Sequence, residues 1–191
     1  MARHKEFEPD VALDRAVEVF WDLGYEKASM GGLVDRMGVG RRSLYDTFGD
    51  KRALYLKALD RYSGTVESEQ RQLAAEQAGA RDALRVLFEA SIREGPPRPA
   101  GCFVVNTATE VAVHDDEVGR WVARSFRQWQ TLIEDLIADG QLAGEIAGHH
   151  DPEILAAVLF NAWIGLRVQA RVDKDPQRLA PMIEGMLRLL D

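Results

Sequence analysis

The sequence predicts an all-α protein of about nine helices, and three observations carry that reading. Of its seven prolines none falls between residues 10 and 95. Apolar residues recur at spacings of three and four. No segment shows the alternation expected of a half-buried strand, and glycines with short polar turns supply the breaks. At 191 residues the chain suits one medium domain, or a small domain fused to a larger one.

The elements follow in order. Residues 9–23 open on Pro9 in a first-turn position and carry Leu13, Val17 and Phe20 at helical spacing, with Gly24 as the expected C-terminal cap. Ser29 can cap a second helix whose Met30, Leu33, Val34 and Met37 share a face, closed by Gly38. A third helix covers about Arg41–Phe48, and a fourth begins after Asp50 and runs into the seventies. Residues 80–94 give a fifth, followed by the breaker Gly95–Gly101. Residues 102–113 are apolar almost all round, the mark of a buried helix. Asp115, Asp116 and Glu117 place negative charge at the start of the next, which reaches about Asp139. Asp151-Pro152 starts a helix to about Val172, and Pro176 starts the last.

Composition narrows the function. The apolar share is 46% and the charged share 29%, ordinary for a globular protein. No apolar run is expected to approach the ~20 residues of a membrane span, and Met1-Ala-Arg-His-Lys-Glu carries no signal-peptide stretch. The single cysteine, Cys102, excludes an intrachain disulfide and a cysteine-cluster zinc site. A cytoplasmic protein without a membrane partner is therefore expected. Net charge is −7, so any contact with nucleic acid must come from a local patch.

Such a patch exists. Residues 29–48 hold two short helices around Gly38-Val39-Gly40, the length and turn chemistry of a helix-turn-helix. Leu44 and Phe48, four apart, can bury together and leave Arg41, Arg42, Ser43, Tyr45 and Thr47 free. From Arg36 to Lys57 six basic residues stand against two acidic ones. Phosphate contacts set register and base contacts set sequence choice. An arginine can bind guanine O6 and N7 together, so Arg41 or Arg42 is the candidate for base readout. Arg3, His4 and Lys5 form either a basic arm for the minor groove or a solvated start.

The segment GYEKASMGGLVDRMGVGRRSLYDTFGDKRALYLKAL, residues 24–59, resembles the amino-terminal domain of the tetracycline-repressor (TetR) family of transcriptional regulators, over about residues 9–60. GCFVVNTATEVA, residues 101–112, is similar to the sixth helix of one branch of that family. The resemblance implies a DNA-binding domain over residues 1–60 and a helical regulatory, ligand-binding and dimerisation domain over 61–191. It implies a homodimer on a palindromic double-stranded operator, released by a small-molecule effector. By position, Ser29 looks like a phosphate contact, Tyr45 and Thr47 like backbone contacts, and Lys51 like the phosphate-binding lysine opening helix four. Arg41, Arg42 and Ser43 fall where family members reach bases. Two departures stand out: Gly40 replaces the usual capping side chain of helix three, and Gly31 and Gly32 lie inside helix two at ~1 kcal/mol each against alanine.

The second half offers a candidate pocket. Asn106 and Glu110 share one face of an apolar helix, beside Phe103 and Thr107, and polar groups there need partners from the protein or a ligand. Cys102, Phe103, Asn106, Glu110, Trp129, Phe160 and Trp163 are the expected ligand-binding residues, and Trp121 and Phe126 are further wall candidates. Cys102 at a helix start is either a reactive thiol or a small apolar core residue. His149-His150-Asp151 and His114-Asp115-Asp116-Glu117 lack the spacing of a structural metal site, so no metal or other cofactor is expected. The last two helices carry more apolar surface than one pair needs, which a four-helix dimer contact would bury. A ligand-responsive repressor is the leading function. A small-molecule carrier or non-switching DNA binder is the alternative, with an enzyme using Cys102 as nucleophile and His114 as base behind it.

Overall fold

Acidic and hydroxyl caps set most of the helix starts in this computed structural model, which describes residues 7–92, 99, 101–173 and 175–191. Among these residues there are nine α-helices and no strand: α1 (Pro9–Lys27), α2 (Met30–Met37), α3 (Arg41–Phe48), α4 (Lys51–Ala75), α5 (Ala80–Ala90), α6 (Phe103–Glu110), α7 (Asp116–Leu142), α8 (Pro152–Val172) and α9 (Pro176–Leu187). Ser29, Asp50, Asp115, Asp151 and Asp175 each accept a hydrogen bond from a backbone N–H of the first turn they precede. Pro9, Pro152 and Pro176 occupy first-turn positions, where a missing N–H costs nothing. The suggested Arg3-His4-Lys5 arm lies outside the described residues, as does most of the Gly95–Gly101 breaker.

The first helix departs from expectation at Gly24. That glycine does not end α1 but kinks it, with φ 79° and ψ 176°, and helical structure resumes to Lys27. Only glycine adopts this conformation at little cost. The break frees the amides of Tyr25 and Glu26, and both donate to the Glu110 carboxylate, each at 3.1 Å. A carboxylate from α6, about 85 residues downstream, therefore caps the final turn of α1. Two other helices are shorter than expected: α5 ends at Ala90 and α6 at Glu110.

Burial divides the apolar residues into two cores. The first gathers α1, α2, α3 and the start of α4 around Phe20, Leu33, Leu44, Leu54 and Tyr55. It also takes in Cys102–Val105 from the α6 region and Val118 and Val122 from α7. The second is built by α5, α7, α8 and α9 around Leu84, Ile137, Leu159, Trp163 and Ile183. Because α7 contributes to both, it runs as a spine from one core into the other.

One expectation is corrected by α8. Its 21 residues, with a mean hydropathy of 1.2 over the most apolar window, are long and apolar enough to cross a membrane by length and composition. Their apolar character is explained within the bundle, since Leu155, Leu159, Phe160, Trp163 and Leu166 are all buried there.

Gly24→Ala is expected to destabilise the protein by about 2 kcal/mol through backbone strain. An added Cβ would also stand 2.6 Å from Glu110 Oε2 and push the cap away. Glu110→Ala should cost about 1–2 kcal/mol, the range of a lost helix cap. Both changes remove the same contact, so urea unfolding of the double variant should show less than the sum.

Candidate nucleic-acid interface and its link to the body

The turn between α2 and α3 is shaped by two glycines. Gly38 takes φ 67° and its N–H donates to the Val34 carbonyl, closing α2 with a left-handed cap. Arg15 of α1 donates to the Met37 carbonyl at 3.0 Å, so the same turn is pinned to the first helix. Gly40 precedes α3 without a side-chain cap, as its lack of an acceptor requires. Leu44 and Phe48 are buried in the first core, with Phe7 against the Phe48 ring.

With that face of α3 buried, its outer side carries the candidate residues. Arg41, Arg42 and Tyr45 are exposed, and Ser43 and Thr47 are half-buried. Arg42 lies 3.7 Å from Asp46, but both side chains stay open to solvent, so this pair is worth little and is easily exchanged for a stronger anion. Ser29 is exposed, with its hydroxyl accepting from the Gly32 amide at 3.0 Å. Lys51 is folded back: its ammonium lies 4.3 Å from the centre of the Tyr25 ring and donates to the Glu26 carbonyl at 3.5 Å. Lys57, the last basic residue of the Arg36–Lys57 patch, donates to the Thr47 and Phe48 carbonyls at the end of α3. It anchors α3 to α4.

Four polar ties join these helices to α6 and α7. Glu110 caps the last turn of α1, as described. Arg52, in the first turn of α4, donates to Asp115 at 2.8 and 3.1 Å and to Glu117 at 2.6 Å. The Arg52 guanidinium holds the Asp115 carboxyl down at about 2, assisted by the Val118 amide. Tyr55 Oη and Thr107 Oγ1 are 2.8 Å apart in the interior, and burial pushes the Tyr55 phenol above its ordinary range. Trp121 Nε1 donates to Asp60 at 2.6 Å. Between these ties Phe103 stands edge-on to both Tyr55 and Tyr62 of α4.

The seven expected ligand-binding residues do not meet around one cavity. Phe103 and Cys102 are buried in the first core, where the Tyr62 hydroxyl donates to Cys102 Sγ at 3.7 Å. The two Glu110 oxygens are taken by amides. Asn106 is half-buried and its Nδ2 has no hydrogen-bond partner. Trp129, Phe160 and Trp163 belong to the second core region, with the Trp129 and Trp163 rings stacked at 5.0 Å. A groove of about 270 Å³ lies instead between α4 and α7. It is lined by Asp60, Ser63, Gly64 and Glu67 on one side and Trp121, Arg124, Ser125 and Gln128 on the other. A narrower recess, sharing Ser63, Glu67 and Gln128, continues it to Trp129. The sequence signal for it is a polar stripe at positions 60, 63 and 67 of α4, which alone looks like a solvated helix face.

A third surface lies at the far end of the molecule. Ile154 is 65% exposed, Val158 48% and Val172 84%, and Val168, Met182 and Leu189 are exposed as well. A depression of about 490 Å³ between α8 and the C-terminal turn runs from His149 and His150 past Ile154 and Val158 to Leu189.

Known proteins resemble the chain over its whole length. Residues 12–58 match the bacterial regulatory proteins of the tetR family, and residues 80–186 match the tetracyclin repressor-like C-terminal domain. The HTH-type transcriptional regulator YezE of Bacillus subtilis is 33% identical, with 100% of each chain covered. The HTH-type transcriptional repressor ComR of Escherichia coli is 30% identical over 98% of this chain and 90% of its own. Among solved structures, a cysteine mutant of the TetR family regulator CifR in complex with 26-bp operator DNA superposes with a TM-score of 0.89, at 29% identity over all of both chains.

The Arg52–Asp115 tie makes a prediction with a definite sign. The folded Asp115 carboxyl titrates at about 2, below its ordinary ~3.9 when unfolded. Its contribution is therefore complete above pH ~4 and is lost as the pH falls toward 2. Arg52→Gln should unfold at lower urea than the parent at pH 6. The difference between the two should shrink through that acid window, followed by circular dichroism.

Proposed function

The chain belongs to the tetracycline-repressor family of DNA-binding transcriptional regulators, and from that footing we propose that it is a dimeric repressor that leaves its operator when a small molecule binds. The observation that carries the reading is α3. It is a short helix anchored on Leu44 and Phe48 that presents Arg41, Arg42 and Tyr45 to solvent. In a protein of net charge −7, this local cationic surface suits the phosphate backbone and one major groove. Ser29, Tyr45, Thr47 and Lys51 act as phosphate and backbone contacts, Ser43 stands with the two arginines where bases are reached, and Arg41 or Arg42 reads guanine. Lys51 reaches phosphate by leaving the Tyr25 ring, a short movement of a flexible side chain. Residues 1–60 form the DNA-binding domain and 61–191 the regulatory one, with α4 crossing between them.

A second copy covers the exposed apolar face of α8 and α9. Two such faces related by a two-fold axis are self-complementary, and the four-helix contact they form matches the apolar length of α8. The dimer sets two copies of α3 about 34–36 Å apart, one turn of DNA, so the operator is palindromic. The protein works in the cytoplasm, where a DNA-binding regulator meets its operator. The effector binds beyond the DNA-binding domain, beside α4, with Trp129 among its wall residues.

Retention of sheared genomic DNA by the purified protein at moderate salt tests this reading. One palindromic element should be enriched, and a folded dimer that enriches nothing would overturn it. On that element, Arg41→Ala or Arg42→Ala should cost ~1–3 kcal/mol and relax choice at one base pair. Lys51→Ala should weaken all sequences alike and lower the salt slope by about 1. Ile154→Arg combined with Val158→Arg should give a folded monomer by light scattering, with operator affinity reduced at least tenfold.

A further inference from the structure

The groove between α4 and α7 has a chemistry that selects its ligand, and we infer that it binds a small zwitterion, a molecule carrying both a protonated amine and a carboxylate in the manner of an amino acid. The inference rests on the reading of the body as the effector-binding half and adds the site and the class of molecule.

The walls are polar and their charges oppose across the gap. On the α4 side stand Asp60 and Glu67, seven residues or ~10.5 Å apart along the helix, with Ser63 and Gly64 between them. On the α7 side stand Arg124 and Gln128, four apart on one face, with Ser125 beside them. Trp121 closes one end and orients Asp60 by donating its indole N–H to one carboxylate oxygen. Glu67 accepts from Arg71 at 3.1 Å, which leaves its other oxygen available. Arg124 is exposed and makes no ion pair among the described residues. The Ser125 hydroxyl is buried, with that residue 3% exposed, and it has no hydrogen-bond partner among the described residues. A buried hydroxyl without a partner is costly. Ser125 belongs to the wall of the groove, whose volume is about 270 Å³.

Elimination fixes the class. An apolar molecule would desolvate Asp60, Glu67 and Arg124 without compensating them. A simple anion faces two carboxylates on α4, and a simple cation leaves Arg124 opposed to its own charge. The four charged groups around the groove, Asp60, Glu67, Arg71 and Arg124, balance to zero. Glu67 and Arg71 already pair with each other, so a ligand that is itself neutral overall, with its amine toward Asp60 and its carboxylate toward Arg124 and Gln128, pairs the two charges that remain.

Gly64 provides a test that leaves the fold intact. No atom lies within 4 Å of a Cβ built there, and its backbone is ordinary helix, so Gly64→Leu favours the helix while filling the groove. The experiment titrates the full-length protein with each of the twenty common L-amino acids by calorimetry. Each binder is then compared with its decarboxylated and deaminated analogues. At least one amino acid should bind saturably, its two analogues at least tenfold more weakly. Gly64→Leu should lose at least tenfold in affinity at undiminished thermal stability and undiminished operator binding. Arg124→Gln should narrow the gap between the amino acid and its decarboxylated analogue. Absence of binding by all twenty, equal binding of a singly charged analogue, or unchanged binding by Gly64→Leu would each overturn the inference. A protein that binds the amino acid but retains no operator would instead overturn the regulator reading and leave the groove assignment standing.

Discussion

The fold of the N-terminal helices depends on a carboxylate that is not part of them. Once Gly24 turns the backbone out of α1, the amides of Tyr25 and Glu26 need acceptors, and Glu110 at the end of α6 supplies both. An uncapped turn in that position would leave two donors to water and let α1 end early. The cap therefore does two things at once. It completes α1, and it fixes where α6 sits against the helices that carry the cationic surface. Lys51 works from the other side, with its ammonium over the Tyr25 ring and on the Glu26 carbonyl. The short segment Tyr25–Lys27 is thus held between a body residue and a residue of the DNA-binding region.

The remaining ties all start on α4, two reaching α7 and one reaching α6. Arg52 joins the start of α4 to the start of α7, Tyr55 joins α4 to α6, and Asp60 joins α4 to α7 two turns further on. Each spans helices whose apolar faces already meet in the first core, where Phe103 packs on Tyr55 and Tyr62. Packing supplies the affinity between these helices and the polar pairs supply register, because a hydrogen bond fails within an ångström of displacement.

What was legible in the sequence is what is local. The helix-turn-helix is spelled within twenty residues by Ser29, the glycines at 38 and 40 and the Leu44/Phe48 pair, and the structure places all of them in those roles. The need of Glu110 for a partner was also readable, since a carboxylate on an apolar helix demands one. Its identity was not, because it lies about 85 residues away in a turn that exists only through the contact. Gly24 was read as a terminus for the same reason: nothing near it in sequence announces that the helix resumes. The polar groove was hidden differently. Asp60, Ser63 and Glu67 have the spacing of any solvated helix face, and only the approach of α7 turns that face into a wall.

The position of the groove decides how occupancy would be felt at DNA. It begins on α4 at the Asp60 contact, two turns beyond Arg52, so a molecule seated there works on a helix whose first turn leads straight from α3. Shifting a two-state equilibrium from 1:99 to 99:1 takes about 5.5 kcal/mol of differential binding. The exposed ion pairs across the joint are individually weak. Only a contact made in one arrangement of α4 and lost in the other counts toward that figure. Selectivity for the molecule and transmission to the operator would then rest on the same contacts, and by linkage operator DNA would weaken the ligand by the factor with which the ligand weakens DNA.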